Sequence, residues 1–290
     1  MIGFVLAIVG TALFSLKSIF IKLAYIEGLN SDSVLMVRMA LALPIYLVIL
    51  AWLMRYKTRP AILSSRLLKI TFLGFIGYYL SSWLDLKGLE MISAQLERLT
   101  LFTYPFLVAI LGALFFKTPL TRKIIVALII SYGGLWLVFF QELSVSGELV
   151  FLGTLFVFLA ALSFSFYVLF GKKVIHEVGS LWFTSLAMAI SSFFVLIHFA
   201  VVGDFSTLYI TPLAWLWLVL LAIFSTVIPS FMISEAIARI GPAQTGIVGI
   251  LGPIVTMGLA IYILNEAFTL WHAIGMTLVI SGVALLMFKK

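Results

Sequence analysis

Ten stretches of roughly 20 residues in this 290-residue chain carry almost no charge. That restricts the fold more than any motif does. About 20 apolar residues in an α-helix cross the hydrocarbon core of a bilayer, and a segment in lipid has to satisfy its own backbone hydrogen bonds. Hydrophobic residues make up 64% of the chain and charged ones 10%, whereas a soluble protein has about a quarter charged residues. The spans expected are 2–25, 32–54, 67–87, 92–116, 122–140, 148–171, 180–202, 212–238, 242–264 and 269–288. Connections between them leave no room for a soluble domain. An all-α integral membrane protein with ten transmembrane helices follows, with the lipid bilayer as its partner.

A second regularity divides the chain. Gly88–Gly134 returns in degenerate form from Ile237 to Gly282: Ser93-Ala94-Gln95 matches Pro242-Ala243-Gln244, Tyr104-Pro105 falls within a residue of Gly252-Pro253, and Thr121 matches Thr269. The offset of 148 or 149 residues is half the chain, the mark of a duplication. The halves are 1–140 and 148–290, joined by a loop at 141–147.

Charge orients the spans. With the amino terminus inside, Arg55, Lys57, Arg59, Arg66, Lys69, Lys117, Arg122, Lys123, Lys172, Lys173, Arg239, Lys289 and Lys290 are inside, and only Lys22 and Lys87 lie near outer ends. The positive-inside rule then makes both termini cytoplasmic and accounts for the net charge of +7 without nucleic acid. Five spans per repeat is odd, so the second half enters the membrane inverted, as in many secondary transporters with a midplane site. Met1 leads straight into an apolar run with no basic segment before it, so no cleaved signal peptide is expected.

The duplicated five-span unit, Ala-Gln opening spans four and nine, and Asn265-Glu266-Ala267-Phe268-Thr269 followed by Gly275 and Gly282 resemble the EamA-like branch of the drug/metabolite transporter superfamily. The resemblance covers essentially the whole chain. It implies a ten-helix carrier of the bacterial inner membrane with its cavity between the repeats, and export of amino acids or other small metabolites. The first copy departs from the pattern, with Thr118 where the second has Glu266 and Val126 where a glycine is expected.

Ionisable residues within spans mark function, because charge in lipid is costly. Lys17, Arg38, Asp85, Glu97 and Arg98 all fall in the outer half of the first repeat, whereas the copy-two counterparts of Lys17, Glu97 and Arg98 are Ser165, Gly246 and Ile247. Helical spacing puts Ser93, Glu97, Thr100 and Tyr104 on one stripe of span four, and Tyr78, Ser81, Ser82 and Asp85 on one of span three. Thr11, Ser15, Ser18 and Lys22 form a stripe on span one, with Lys17 rotated roughly 120° from it. Glu97 is therefore expected on the cavity wall and Lys17 against a neighbouring helix. Trp83 joins Tyr78 and Tyr104 as aromatic wall, and the second repeat offers Ser163, Tyr167, Gln244 and Thr245. Lys17, Arg38, Asp85 and Glu97 are candidates for ion pairing or coupling. Three cations against two acids favour a carboxylate-bearing solute, an amino-acid-like metabolite. A purely structural ion-pair cluster is the opposing reading, with Asp85 solvated.

Enzyme chemistry finds no foothold: no paired-His metal motif, no phosphate loop with Lys, no Ser-His-Asp context, and no cysteine. No cofactor or metal is expected, and the assembly is expected to be a monomer or weak homodimer. A passive channel, or a flippase for lipid-linked or sugar-type cargo, remains open as an alternative to a carrier.

Overall fold

The computed structural model describes residues 1–57, 64–117, 119–249 and 251–287, apart from the side chains of 64, 145–146, 242–244, 246–247 and 286–287. Arg59, Thr118, Lys289, Lys290 and the side chain of Gln244 lie outside the described residues.

The described chain folds into helices α1 (Ile2–Ser15), α2 (Lys17–Ile26), α3 (Ser31–Tyr56), α4 (Ser64–Gly74), α5 (Ser81–Leu89), α6 (Ala94–Leu101) and α7 (Tyr104–Phe116). They are followed by α8 (Arg122–Ser146), α9 (Leu149–Val178), α10 (Ser180–Val202), α11 (Pro212–Ala222), α12 (Ile228–Gly249), α13 (Leu251–Leu264) and α14 (Leu270–Met287). Among the described residues there is no strand. Among the described residues eight helical segments are long and apolar enough to cross a membrane, and Leu251–Leu264 and Leu270–Leu285 are shorter apolar helices.

Helix starts follow local chemistry. Asn30, Ser93, Thr121 and Thr211 each accept a hydrogen bond from a first-turn amide, satisfying donors that the helix leaves open. Contrary to the expected loop at 141–147, α8 continues to Ser146. Nothing in Gln-Glu-Leu-Ser breaks a helix, and the turn waits for Gly147, whose φ of 78° suits glycine.

Several spans are interrupted. Span one breaks at Leu16, and span four at Phe102–Thr103 ahead of Pro105. Phe75–Leu80 and Ile223–Val227 wind as π-helix, continuing α4 into α5 and α11 into α12. Such turns widen the backbone ladder and gather at functional sites. Gly241 (φ 82°, ψ 161°) breaks α12.

The most extensive contacts pair α8 with α14, α1 with α12, α5 with α9, and α3 with α10. Small residues allow the closest approach, as expected where lipid supplies no hydrophobic drive. A Cβ on Gly134 would lie 2.6 Å from the Gly275 carbonyl oxygen, and one on Gly275 would lie 2.7 Å from that of Gly134. Trp182, near the start of α10, is buried.

Candidate functional site

Between these helices lies a cavity of about 190 Å³. An engineered cavity of ~150 Å³ admits benzene, so a solute of small-metabolite size is the right scale. Both π-helical turns reach it: Gly77 and Tyr78 come from the first, Thr226 from the second, with Ser82 and Ser230 a turn further along each span. Phe14, Phe102, Tyr104 and Phe164 give it aromatic walls.

Four charged side chains line it: Lys17, Arg38, Asp85 and Arg98. The Lys17 ammonium contacts Asp85 Oδ2 and lies 3.8 Å from Glu97 Oε1. Glu97 is fully buried behind the wall, where its Oε2 accepts from Ser18 Oγ at 2.7 Å. Arg38 is buried too; its Nε donates to Thr226 Oγ1 at 2.8 Å, tying α3 to the second π-turn. Arg98 Nη2 reaches Ser15 Oγ at a long 3.5 Å.

Several atoms of this cluster are left without hydrogen bonds among the described residues: Arg38 Nη1, Arg98 Nε, Asp85 Oδ1 and Glu97 Oε1. A buried polar atom without a partner costs about 1–3 kcal/mol, and more when it is charged. Lys17 is balanced by Asp85, and Glu97 offsets one arginine, which leaves one positive charge in excess at low dielectric. The cluster thus sets unmatched guanidinium donors beside unmatched carboxylate acceptors.

Of the residues singled out from sequence, Lys17, Arg38, Tyr78, Ser82, Asp85, Arg98, Tyr104 and Thr245 are brought together on the wall. Others are not. Glu97, expected on the wall, sits behind it, and Thr100 is fully buried with its hydroxyl on the Leu96 carbonyl. Ser15 donates to the Thr11 carbonyl and Ser163 to that of Ile76. Trp83 turns toward the span end, where its indole N–H donates to Asp32 Oδ1 at 2.9 Å. Tyr167 stands behind Tyr78, hydroxyl to hydroxyl at 3.0 Å.

Lys17 reverses the expectation that it faces a neighbouring helix. An unbroken helix at 100° per residue would face it there, and the turn at Leu16 resets the phase. Asp85 is not solvated but 2% exposed, held by Lys17. Thr226, Ser230, Phe14, Phe164 and Met188 also line the cavity and escaped sequence reasoning. Thr226, Ser230 and Ser234 recur every fourth residue along span eight, which was the available signal.

Toward the outer end expected from loop charge, the amino terminus of α6 is held by carboxylates. Glu266 accepts from the amides of Ala94 (2.7 Å) and Gln95 (3.2 Å), and Gln95 Nε2 donates to the Ala267 carbonyl. Glu142 accepts from Ser93 Oγ and faces His272 Nε2 at 3.8 Å. Glu266 lies in the turn between α13 and α14; burial pushes its carboxyl above the usual range, against the pull of these amides and of Lys22.

The EamA-like transporter family matches this sequence twice, over residues 1–140 and 151–288. The chain belongs to that family. It is similar to the uncharacterized transporter YcbK of Bacillus subtilis (strain 168), 27% identical over 94% of this chain and 88% of the relative. It is also similar to the uncharacterized transporter YyaM of the same organism, 25% identical over 73% and 70% of the two chains. A solved crystal structure with 14% identity superposes with a TM-score of 0.68, covering 98% of this chain and 96% of the other, a likeness of fold alone. This EamA-like protein is a multi-pass membrane transporter.

Proposed function

We propose that this transporter is a secondary carrier of the bacterial inner membrane that exports a small, carboxylate-bearing, amino-acid-like metabolite by alternating access. Ten spans form two inverted five-helix repeats, 1–140 and 148–290, with both termini cytoplasmic. The solute sits in the cavity, its carboxylate on Arg38 and Arg98 and its apolar part against Tyr78, Tyr104 and Phe164. The observation that carries this reading is the pair of cavity-lining guanidinium groups with hydrogen-bond donors left unmatched.

Support for the repeats comes from features 148 residues apart. The π-turns begin at Phe75 and Ile223, and the two non-glycine residues with positive φ among those described are Lys117 and Asn265. The broadest interfaces also pair up under such an exchange: α1 with α12 mirrors α9 with α5, while α3 with α10 and α8 with α14 map onto themselves. Rocking of one half against the other around a central site is the motion this arrangement favours.

Counterflow in proteoliposomes tests the carrier. Vesicles preloaded with a panel of unlabelled carboxylate metabolites should accelerate entry of the matching labelled solute. Flux that ignores the preloaded solute would make the protein a channel and overturn the proposal.

A further inference from the structure

A second concavity, of about 1060 Å³, is bounded by α4, the end of α7, the last turns of α9, the start of α10 and the middle of α12. Its walls include Phe72, Phe116 and Phe170, which are 59%, 55% and 37% exposed. Its rim carries Lys69, Lys172 and Lys173. Among the described residues none of these three ammonium groups has an ion-pair partner. The one acid among the lining residues, Glu177, is engaged by Arg66 Nε at 3.2 Å.

Charge and apolar surface are ordered along the helices. Lys69 lies near the start of the Ser65–Leu89 span and Phe72 one turn deeper; Lys173 lies near the end of α9 and Phe170 one turn deeper. Cations at the ends of the spans, with exposed rings about 5 Å further in, match a ligand with an anionic head and apolar chains. A water-soluble anion would use only the rim. Basic pockets between helices at a membrane interface suit phosphate-bearing lipid headgroups.

We propose that this groove is a binding site for an anionic phospholipid, its phosphate on Lys69, Lys172 and Lys173 and its acyl chains along Phe72, Phe116 and Phe170. The site is separate from the solute cavity. Tyr167 lies on α9 between Phe164 of the cavity and Phe170 of the groove, packed so closely on Gly77 that a Cβ there would meet its ring at 2.4 Å.

The test uses the full-length protein in mixed micelles with equal phosphatidylglycerol and phosphatidylcholine, the retained lipid being read by native mass spectrometry. Wild type should retain phosphatidylglycerol preferentially. K69Q/K172Q/K173Q should lower that retention by at least about tenfold and leave phosphatidylcholine unchanged, after discounting for solvent exposure. Should the triple variant fail to fold, K69Q or K172Q alone should lower retention roughly threefold. Excess sn-glycerol 3-phosphate should not displace the lipid, and F116S/F170S should weaken lipid retention. Equal retention of both lipids by wild type, full retention by the lysine variants, or displacement by glycerol phosphate would each overturn the proposal. The first two would leave the lysines as topology signals only, and the third would make the groove a site for free anions.

Discussion

Replacing Arg98 by Gln separates a solute-binding cluster from a structural one. In the folded protein Arg98 makes one long contact, 3.5 Å to Ser15 Oγ, and its Nε has no partner among the described residues. Losing a contact at that limit costs under ~1 kcal/mol, and removing the unmatched Nε recovers a similar amount. Charge points the same way: without Arg98, Lys17 and Arg38 stand against Asp85 and Glu97, two against two. Folded stability should therefore change by no more than about 1 kcal/mol, a shift of roughly 4 °C or less in melting temperature. Binding should respond differently. A guanidinium on a carboxylate contributes charge-assisted hydrogen bonds of ~1.5–3 kcal/mol each, so the loss should be roughly 2–3 kcal/mol, or about 30–150-fold in Kd.

A second substitution reaches the same group without removing it. Gly252 lies against Arg98, and a Cβ there would sit 2.8 Å from Nη2, the far end of a flexible side chain. Gly252 is inside α13, where Ala is preferred by about 1 kcal/mol. Gly252→Ala should thus keep or raise the melting temperature while weakening solute binding. Isothermal titration in detergent with the solute identified by counterflow, beside a thermal melt of each variant, reads both quantities. If Arg98→Gln lowers the melting temperature by more than ~10 °C and the surviving protein binds as wild type does, the cluster fastens helices and the carboxylate assignment is wrong.

Asp85→Asn should destabilise by about 3–5 kcal/mol, because Lys17 keeps only Glu97 at 3.8 Å, and Lys17→Met/Asp85→Asn should recover more than half of that in a detergent melt. Additive losses in the double variant would show that the two are not a buried pair. Glu266 should make stability fall as pH rises, since its folded carboxyl titrates above its unfolded value of 4.5. Its favourable contribution is whole below the unfolded value and is lost through the raised one. Glu266→Gln keeps a carbonyl for the Ala94 and Gln95 amides and should flatten the slope between pH 4.5 and neutrality, judged from melts across that range. Parallel slopes in variant and wild type would assign the dependence to other groups.

Membrane class, helical content and the extent of most spans were legible from the chain alone, because lipid leaves the backbone few alternatives and 180–202 was bounded as observed. The near-uncharged runs needed no tertiary information, and neither did the isolation of five charges in one half. Which of those charges face the cavity was not legible. A helix wheel carries phase through every residue, and one extra residue in a π-turn, or the 3₁₀-like turn at Leu16, rotates everything beyond it. Lys17 came onto the wall for that reason, whereas Glu97 went behind it because α6, regular from Ala94 to Leu101, turns its neighbour Arg98 to the cavity. Thr226 and Ser230 belong to the site because α3 and α1 pack against the second π-turn and α12, contacts some 190–220 residues apart in sequence that no local pattern encodes. Pairing partners likewise depended on three-dimensional proximity: Asp85 was one of several candidates for an ion pair, and only the placement of α2 beside it made Lys17 its partner.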